Sequence, residues 1–206
     1  MLPCRNYLTA ILVNLIITRM IIQNNNPYVN SSFTFKNRLS RLAWHIVWFF
    51  LFRPTPRAMH VWRNFLLRIF GAQLGHHVHI TGSTKIWAPW NLQIGNFVGV
   101  GDGVNFYCMD KISVGDYAVI SQGTHLCAGS HDFNSANFQL ITAPITIGAR
   151  VWLCADSFVG PGVTVAEGSV IAARGVVSKS IRQPWCIWAG VPVKQIGVRD
   201  KQKVMG

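Results

Sequence analysis

An aliphatic residue recurs every six positions from Leu74 almost to the end of the chain. It is often followed by glycine, as in Leu74-Gly75, Ile80, Ile86, Ile94-Gly95 and Val100-Gly101. The beat resumes at Val114-Gly115, Ile120 and Leu126. It returns at Ile147-Gly148, Leu153, Val159-Gly160, Val165, Ile171 and Val177. A second, mostly small series sits four residues after these positions: Val78, Thr84, Val98, Val104, Ala118, Thr124, Ser130, Val151, Ser157, Val163, Ser169 and Gly175. An amphipathic helix needs apolar residues every three to four positions, and a sheet strand alternates by two. A period of six instead describes short strands joined by tight turns, three units closing one triangular coil of a parallel β-helix. The aliphatic side chains fill the prism, the small ones point inward where room is short, and glycine supplies backbone conformations that other residues resist.

The spacing refines this expectation. Leu74, Ile94 and Val114 are twenty apart, so the early coils carry two residues beyond three hexads. Pro89-Trp90 and Cys108-Met109 fall in those extra stretches. Ile147 and Val165 are eighteen apart, three clean hexads. The predicted fold is all-β, about five coils over residues 73–182, preceded by a helical extension and followed by a tail at 183–206. Stacked strands satisfy one another's backbone groups, so the two ends of such a column need covers.

Charge is distributed unevenly along the 206 residues, which carry a net +12. No Asp or Glu precedes Asp102, whereas Arg5, Arg19, Lys36, Arg38, Arg41, Arg53, Arg57, Arg63 and Arg68 all lie in the first seventy positions. An acid-free basic half points to an anionic partner. Nucleic acid is disfavoured because the basic residues alternate with large apolar ones instead of forming a polar stripe. The cysteines (Cys4, Cys108, Cys127, Cys154, Cys186) are odd in number and form no CxxC, which fits reduced thiols in the cytoplasm.

Residues 1–35 form an apolar N-terminal segment. Within it, residues 7–22 contain Asn14 and Arg19 and fall short of the ~20 residues a membrane span needs. An anchor, a disordered tail and read-through from a misplaced start codon all remain open. Residues 36–72 read as two basic amphipathic helices separated by Pro54 and Pro56. The first places Leu39, Leu42, Ile46, Phe49 and Phe50 at helical spacing, with Trp44, Val47 and Trp48 widening the stripe. The second, over 57–70, gathers Met59, Trp62, Phe65, Leu66 and Ile69 on one side. Two roles are compatible: capping the open end of the column, and lying in the interface of a membrane at its cytoplasmic face.

The hexads stop after Ser130. His131 comes next at an outward position, and residues 132–146 have no hexad phase. A loop of that length within a compact repeat is usually functional, and the column fixes where its first residue stands.

Several motifs now combine: Gly129-Ser130-His131-Asp132, Ile147-Gly148-Ala149-Arg150-Val151-Trp152, Val159-Gly160-Pro161-Gly162-Val163-Thr164 and Ala189-Gly190-Val191-Pro192-Val193-Lys194. With Trp87-Ala88-Pro89-Trp90-Asn91 they resemble the hexapeptide-repeat acyltransferases, closest to the colanic-acid type of exopolysaccharide acetyltransferase, over about residues 36–197. The resemblance implies a left-handed β-helix, a homotrimer with sites between subunits, acetyl-CoA as donor and a sugar or lipid-linked sugar as acceptor. It implies that His131 is the general base, a role that suits an imidazole titrating near working pH. It further implies that Trp152 lines the channel for the CoA arm, that Ala155, Ala173, Ser178 and Lys179 border it, and that Lys194 meets the phosphates. Where some relatives have a second basic residue this chain has Gly197, with Arg199 close by.

Asn105, Phe106, Tyr107 and Asp110 lie one coil before His131 and are candidates to contact the acceptor, while Asp132 either orients the histidine or begins the loop. Serine or another small hydroxyl is the alternative acceptor for the same chemistry. A γ-carbonic-anhydrase-like lyase shares the architecture but needs three converging histidines. His125 and His131 are six apart, on successive faces, and His76, His77 and His79 lie far below, so no metal is expected.

Overall fold

The repeat's aliphatic residues stack in register, coil on coil. In the computed structural model, which describes Tyr28 and residues 30–205, the first face runs Leu74, Ile94, Val114, Ile147 and Val165. The second runs Ile80, Val100, Ile120, Leu153 and Ile171. The third runs Ile86, Phe106, Leu126, Val159 and Val177. Apart from partly buried Leu74, these side chains are buried and form one continuous core. Phe106 occupies a slot of the third face that the aliphatic series skips. The alternatives for residues 7–22 lie outside the described residues.

The molecule is therefore a parallel β-solenoid of five complete three-strand coils and the start of a sixth. Ile181 bridges to Val165, and the strand Cys186–Gly190 pairs with Val170-Ile171. That strand turns back through a cis Val191–Pro192 peptide into an antiparallel strand, Val193–Val198. Residues 183–206 thus include a strand pair and a short helix, Lys201–Met205. The small residues behave as their position demands: Val78, Thr84, Val104, Ala118, Thr124, Ser157 and Ser169 are buried. Ser130 is the exception. It is exposed, and the inward place is taken by Ala128, so the chain leaves the column earlier than the hexad count predicts.

Two helices cover the lower end: α1 (Phe35–Val47), continued by a π-helical turn Trp48–Phe52, and α2 (His60–Ile69). Thr34 caps α1 by accepting from Asn37 N–H. Their apolar stripes face away from the column. Leu39, Leu42, Ile46, Phe49, Phe50, Met59, Trp62, Phe65 and Ile69 are exposed, while Trp44, Phe52, Arg63, Asn64, Leu66 and Leu67 are buried. The physical reason is the first coil's open edge, a row of carbonyls with no coil beneath. Trp44 Nε1 donates to Ile86 O at 2.7 Å, Trp48 Nε1 to Thr84 O at 2.8 Å and Asn64 Nδ2 to Val78 O at 2.7 Å. Arg63 Nε donates to Ile80 O at 2.6 Å, and Arg68 Nη2 reaches Leu74 O and Gly75 O. Buried carbonyls need donors, so the donor-bearing side of each helix faces the sheet edge and the apolar stripe faces out.

Coil-to-coil contact is close enough to exclude side chains at some corners. A Cβ on Gly115 would lie 2.6 Å from Ala149 N, whereas one on Gly99 would meet nothing within 4 Å. Gly115→Ala is expected to lower the unfolding free energy by about 1–3 kcal/mol, and Gly99→Ala to change it by less than about 0.5 kcal/mol. Urea titration of the two variants checks the contrast.

Candidate active site

The corner between the third and first faces takes the insertions. Pro89–Asn91 forms a 3-10 turn there after the first coil, and Cys108-Met109 extends the next. After the third coil the insertion becomes a β-hairpin. Gly129–His131 pairs antiparallel with Leu140–Thr142, placing His131 opposite Leu140, and the column resumes at Ile145, paired with Ile112. The excursion thus begins at Gly129 and its second arm is ordered strand.

His131 is held from one side. Its Nδ1 lies 2.9 Å from Phe138 O, and its ring stacks on Phe138 with centroids 4.4 Å apart and planes 11° apart. A carbonyl only accepts, so Nδ1 carries the proton and the neutral ring keeps its lone pair on Nε2. The hairpin tip braces this arrangement: Asp132 N donates to Gln139 O and Phe138 N to Ser135 O. Asp132 does not orient the ring. Its carboxylate accepts from Asn134 N–H at 3.0 Å, so it belongs to the turn, and the orienting group is the Phe138 carbonyl.

Asn105 and Tyr107 project from the third face into a cavity of about 270 Å³. Its other walls are Lys85, Ile86 and Trp87 of the first coil, His45 of α1 and Trp48 of the π-helical turn. Asn105 lies between Lys85 below and His125 above in the strand register, and its Nδ2 is 3.4 Å from His125 Nε2. Tyr107 and His125 meet edge to face at 6.2 Å. Burial pushes the Tyr107 hydroxyl upward in pKa and the His125 imidazole downward. Asp110 does not join this group among the cavity's lining residues. Its carboxylate accepts from Lys111 N–H at 2.7 Å.

Trp152 stands on the second face, 44 % exposed, and its Nε1 donates to Ser121 Oγ at 2.9 Å. Ser121 lines a groove of about 630 Å³ with Arg57, His60, His79, Asp102 and Gln122. Ala155 and Ala173 occupy equivalent turns of consecutive coils, where Arg174 N donates to Ala155 O. Ser178 and Lys179 follow the last third-face strand and are exposed, as is Lys194 on the final strand. Arg199 is already engaged. Its Nη1 donates to Arg150 O and Gly168 O and its guanidinium sits over Trp185.

No family model matches the chain. It is 44 % identical over 145 residues to the protein named as the colanic acid biosynthesis acetyltransferase WcaF of Escherichia coli K12, covering 70 % of this chain and 80 % of that protein. The chain belongs to the hexapeptide-repeat acetyltransferases. It is also 34 % identical over 133 residues to the galactoside O-acetyltransferase of the same organism, covering 62 % of this chain and 58 % of that protein. Among solved structures, a galactoside acetyltransferase in complex with coenzyme A shares the fold with a TM-score of 0.75 at 23 % identity, covering 83 % of this chain and 86 % of that one. A maltose O-acetyltransferase from Clostridium difficile gives 0.69 at 21 %, covering 82 % and 90 %.

The fold of this acyl-CoA-dependent acetyltransferase separates two of the residues expected at its site. His131 leaves the column at the third-to-first corner, whereas Trp152 lies on the second face. Within the chain the two lie on different sides of the column. Lys85, Trp87, His125, His45 of α1 and Trp48 of the π-helical turn are additions to the expected set. A signal for two of them lies in the repeat: Lys85 and His125, like Asn105, each precede the third-face core residue of their coil. His45 and Trp48 carry no such signal, because their place depends on how α1 docks. Among the described residues no group of three His, Cys, Asp or Glu is arranged to hold a metal. His79 instead stacks on His60 at 4.1 Å, and His77 stacks on Phe97 at 4.9 Å.

The lowered pKa of His125 sets the sign of a pH effect. Unfolding returns the imidazole to its usual value of about 6.5, so the unfolded chain takes up the proton first. The contribution to stability is full above that value and is lost as pH falls through it toward the folded value. His60 shifts the same way, through its partial burial and then the charges of His79 and Arg63. Stability measured by urea should fall from pH 7 to pH 5, and His125→Gln should make that fall shallower.

Proposed function

We propose that the protein transfers an acetyl group from acetyl-CoA to a sugar hydroxyl in exopolysaccharide biosynthesis, with His131 as general base at a site completed between the subunits of a homotrimer. The observation that carries this reading is the one-sided hold on His131: Nδ1–H bonded to the Phe138 carbonyl, Nε2 left as the base. Relatives named for colanic acid and for a galactoside support a sugar acceptor. The cavity offers what a sugar requires, aromatic walls in Trp48, Trp87 and Tyr107 and hydrogen-bonding groups in Asn105, Lys85 and His45.

The residues expected for CoA suit a long arm ending in phosphates. Trp152 presents an exposed indole, Ala155 and Ala173 leave their stacked turns uncluttered, and Lys194 offers an exposed ammonium. Bound acetyl-CoA supplies the activated thioester. His131 Nε2 takes the proton of the acceptor hydroxyl as its oxygen bonds to the carbonyl carbon. The Phe138 carbonyl then stabilises the imidazolium through Nδ1–H, and the imidazolium returns its proton to the sulfur as the C–S bond breaks. The separation of Trp152 from His131 within one chain supports a ring of subunits in which one supplies the base and its neighbour the channel.

His131→Ala should reduce acceptor-dependent thiol release from acetyl-CoA by at least about a hundredfold without altering the melting temperature. Retained turnover would end this assignment. Trp152→Ala should raise KM for acetyl-CoA while leaving kcat nearly unchanged, the pattern of lost uniform binding.

A further inference from the structure

We propose that the outward faces of α1 and α2 are a docking surface for an anionic lipid membrane. The claim is independent of the acetyl-transfer reading, because it rests on the cap alone.

The surface is organised. Phe35, Leu39, Leu42, Ile46, Phe49 and Phe50 follow one another at helical spacing on α1 and its π-helical continuation, and all are exposed, Phe35 by 75 % and Phe50 by 66 %. The opposite side of the same helix is pinned to the first coil through Trp44 and Trp48. The stripe cannot rotate inward without uncovering those carbonyls. Exposed Val61, Trp62, Phe65 and Ile69 give α2 a similar side. The two stripes join where Trp62 Nε1 donates to Leu51 O at 2.9 Å, and Trp62 stacks on Phe65 at 5.7 Å. Soluble proteins rarely expose contiguous apolar surface of this extent without a partner for it.

Charge identifies the partner. Lys36, Arg38 and Arg53 are exposed beside the stripe, and no carboxylate occurs anywhere before Asp102. Apolar residues flanked by cations, on helices that carry no acid of their own, match an interface rich in anionic lipid. A two-fold pairing of this face with itself fits poorly, since it would set these cations against their own images. Among the described residues no helix is long and apolar enough to cross a membrane. The geometry is that of a helix lying on the surface, with its polar side committed to the solenoid.

The test uses the full-length protein and co-sedimentation with phosphatidylcholine vesicles, with and without phosphatidylglycerol. Wild type should bind the anionic vesicles at least about tenfold more tightly than the neutral ones. The triple variant Leu42→Gln, Phe49→Gln, Phe65→Gln should lose about tenfold or more of that binding, and Lys36→Gln, Arg38→Gln, Arg53→Gln should lose the preference for anionic lipid. All six side chains are exposed, so the folded column should persist, checked by circular dichroism. Failure of the wild type to bind vesicles overturns the proposal. So does unchanged binding by the apolar variant, which would assign the contact to residues 7–22. A change in subunit number on substituting the apolar residues would instead make the face a protein–protein interface and would also overturn it.

Discussion

A parallel solenoid cannot end without leaving a row of unpaired carbonyls, and the lower cap of this protein is built around that constraint. Trp44, Trp48, Arg63, Asn64 and Arg68 direct their donors at the first coil. Arg63 also ties down the connection between the helices, donating to Thr55 Oγ1, Pro56 O and Arg57 O. A guanidinium suits this place because it keeps several donors in one rigid plane, although its burial lowers its pKa. Unpaired backbone acceptors in that position would cost about 1–3 kcal/mol each. The choice of which helix side faces inward is therefore made by hydrogen bonding, and the exposure of the apolar side follows from it.

The catalytic proposal depends on the other property of the column, its stiffness. Three successive coils place their extra residues at one corner, and only the third grows into a hairpin. Because the strands on either side are held in register, His131 leaves a fixed point, and Phe138 returns to stack on it. A carbonyl partner at Nδ1 sets the tautomer without adding a negative charge beside the ring. A carboxylate there would favour the protonated ring before the acceptor arrives. Asp132 sits next in the chain yet turns its carboxylate to the loop backbone, which keeps the orienting contact neutral.

Much of the architecture was legible because the hexad carries burial information at every sixth residue. The core positions, the coil boundaries and the position of the interruption could all be read from side chains whose roles are local. Phe106 escaped because the series was read as aliphatic, although an aromatic fills the same slot. Ser130 was read as inward because the count ran past the point where the chain leaves. Which side of each helix faces the column was not legible, because periodicity reports which side is apolar, not which side has donors, and at a sheet edge the donors decide. The cavity beside α1 was half legible. Asn105 and Tyr107 come from the repeat, but His45 and Trp48 arrive from a helix whose docking depends on those edge bonds.

The cavity is roofed by α1 with its π-helical continuation and floored by the third face, so the tryptophan that satisfies Thr84 O also forms one wall of that cavity. The helix side opposite that wall is the exposed apolar stripe. One element thus seals the solenoid, shapes the cavity and presents a surface to its surroundings, and no one of these can change without the others. A substitution that loosened Trp48 would open the sheet edge to water, widen the cavity and tilt the outer stripe together. The combination explains why the cap is rich in tryptophan and arginine: both carry large apolar or planar bodies with donors at defined positions, so a single side chain can pack and pair at once.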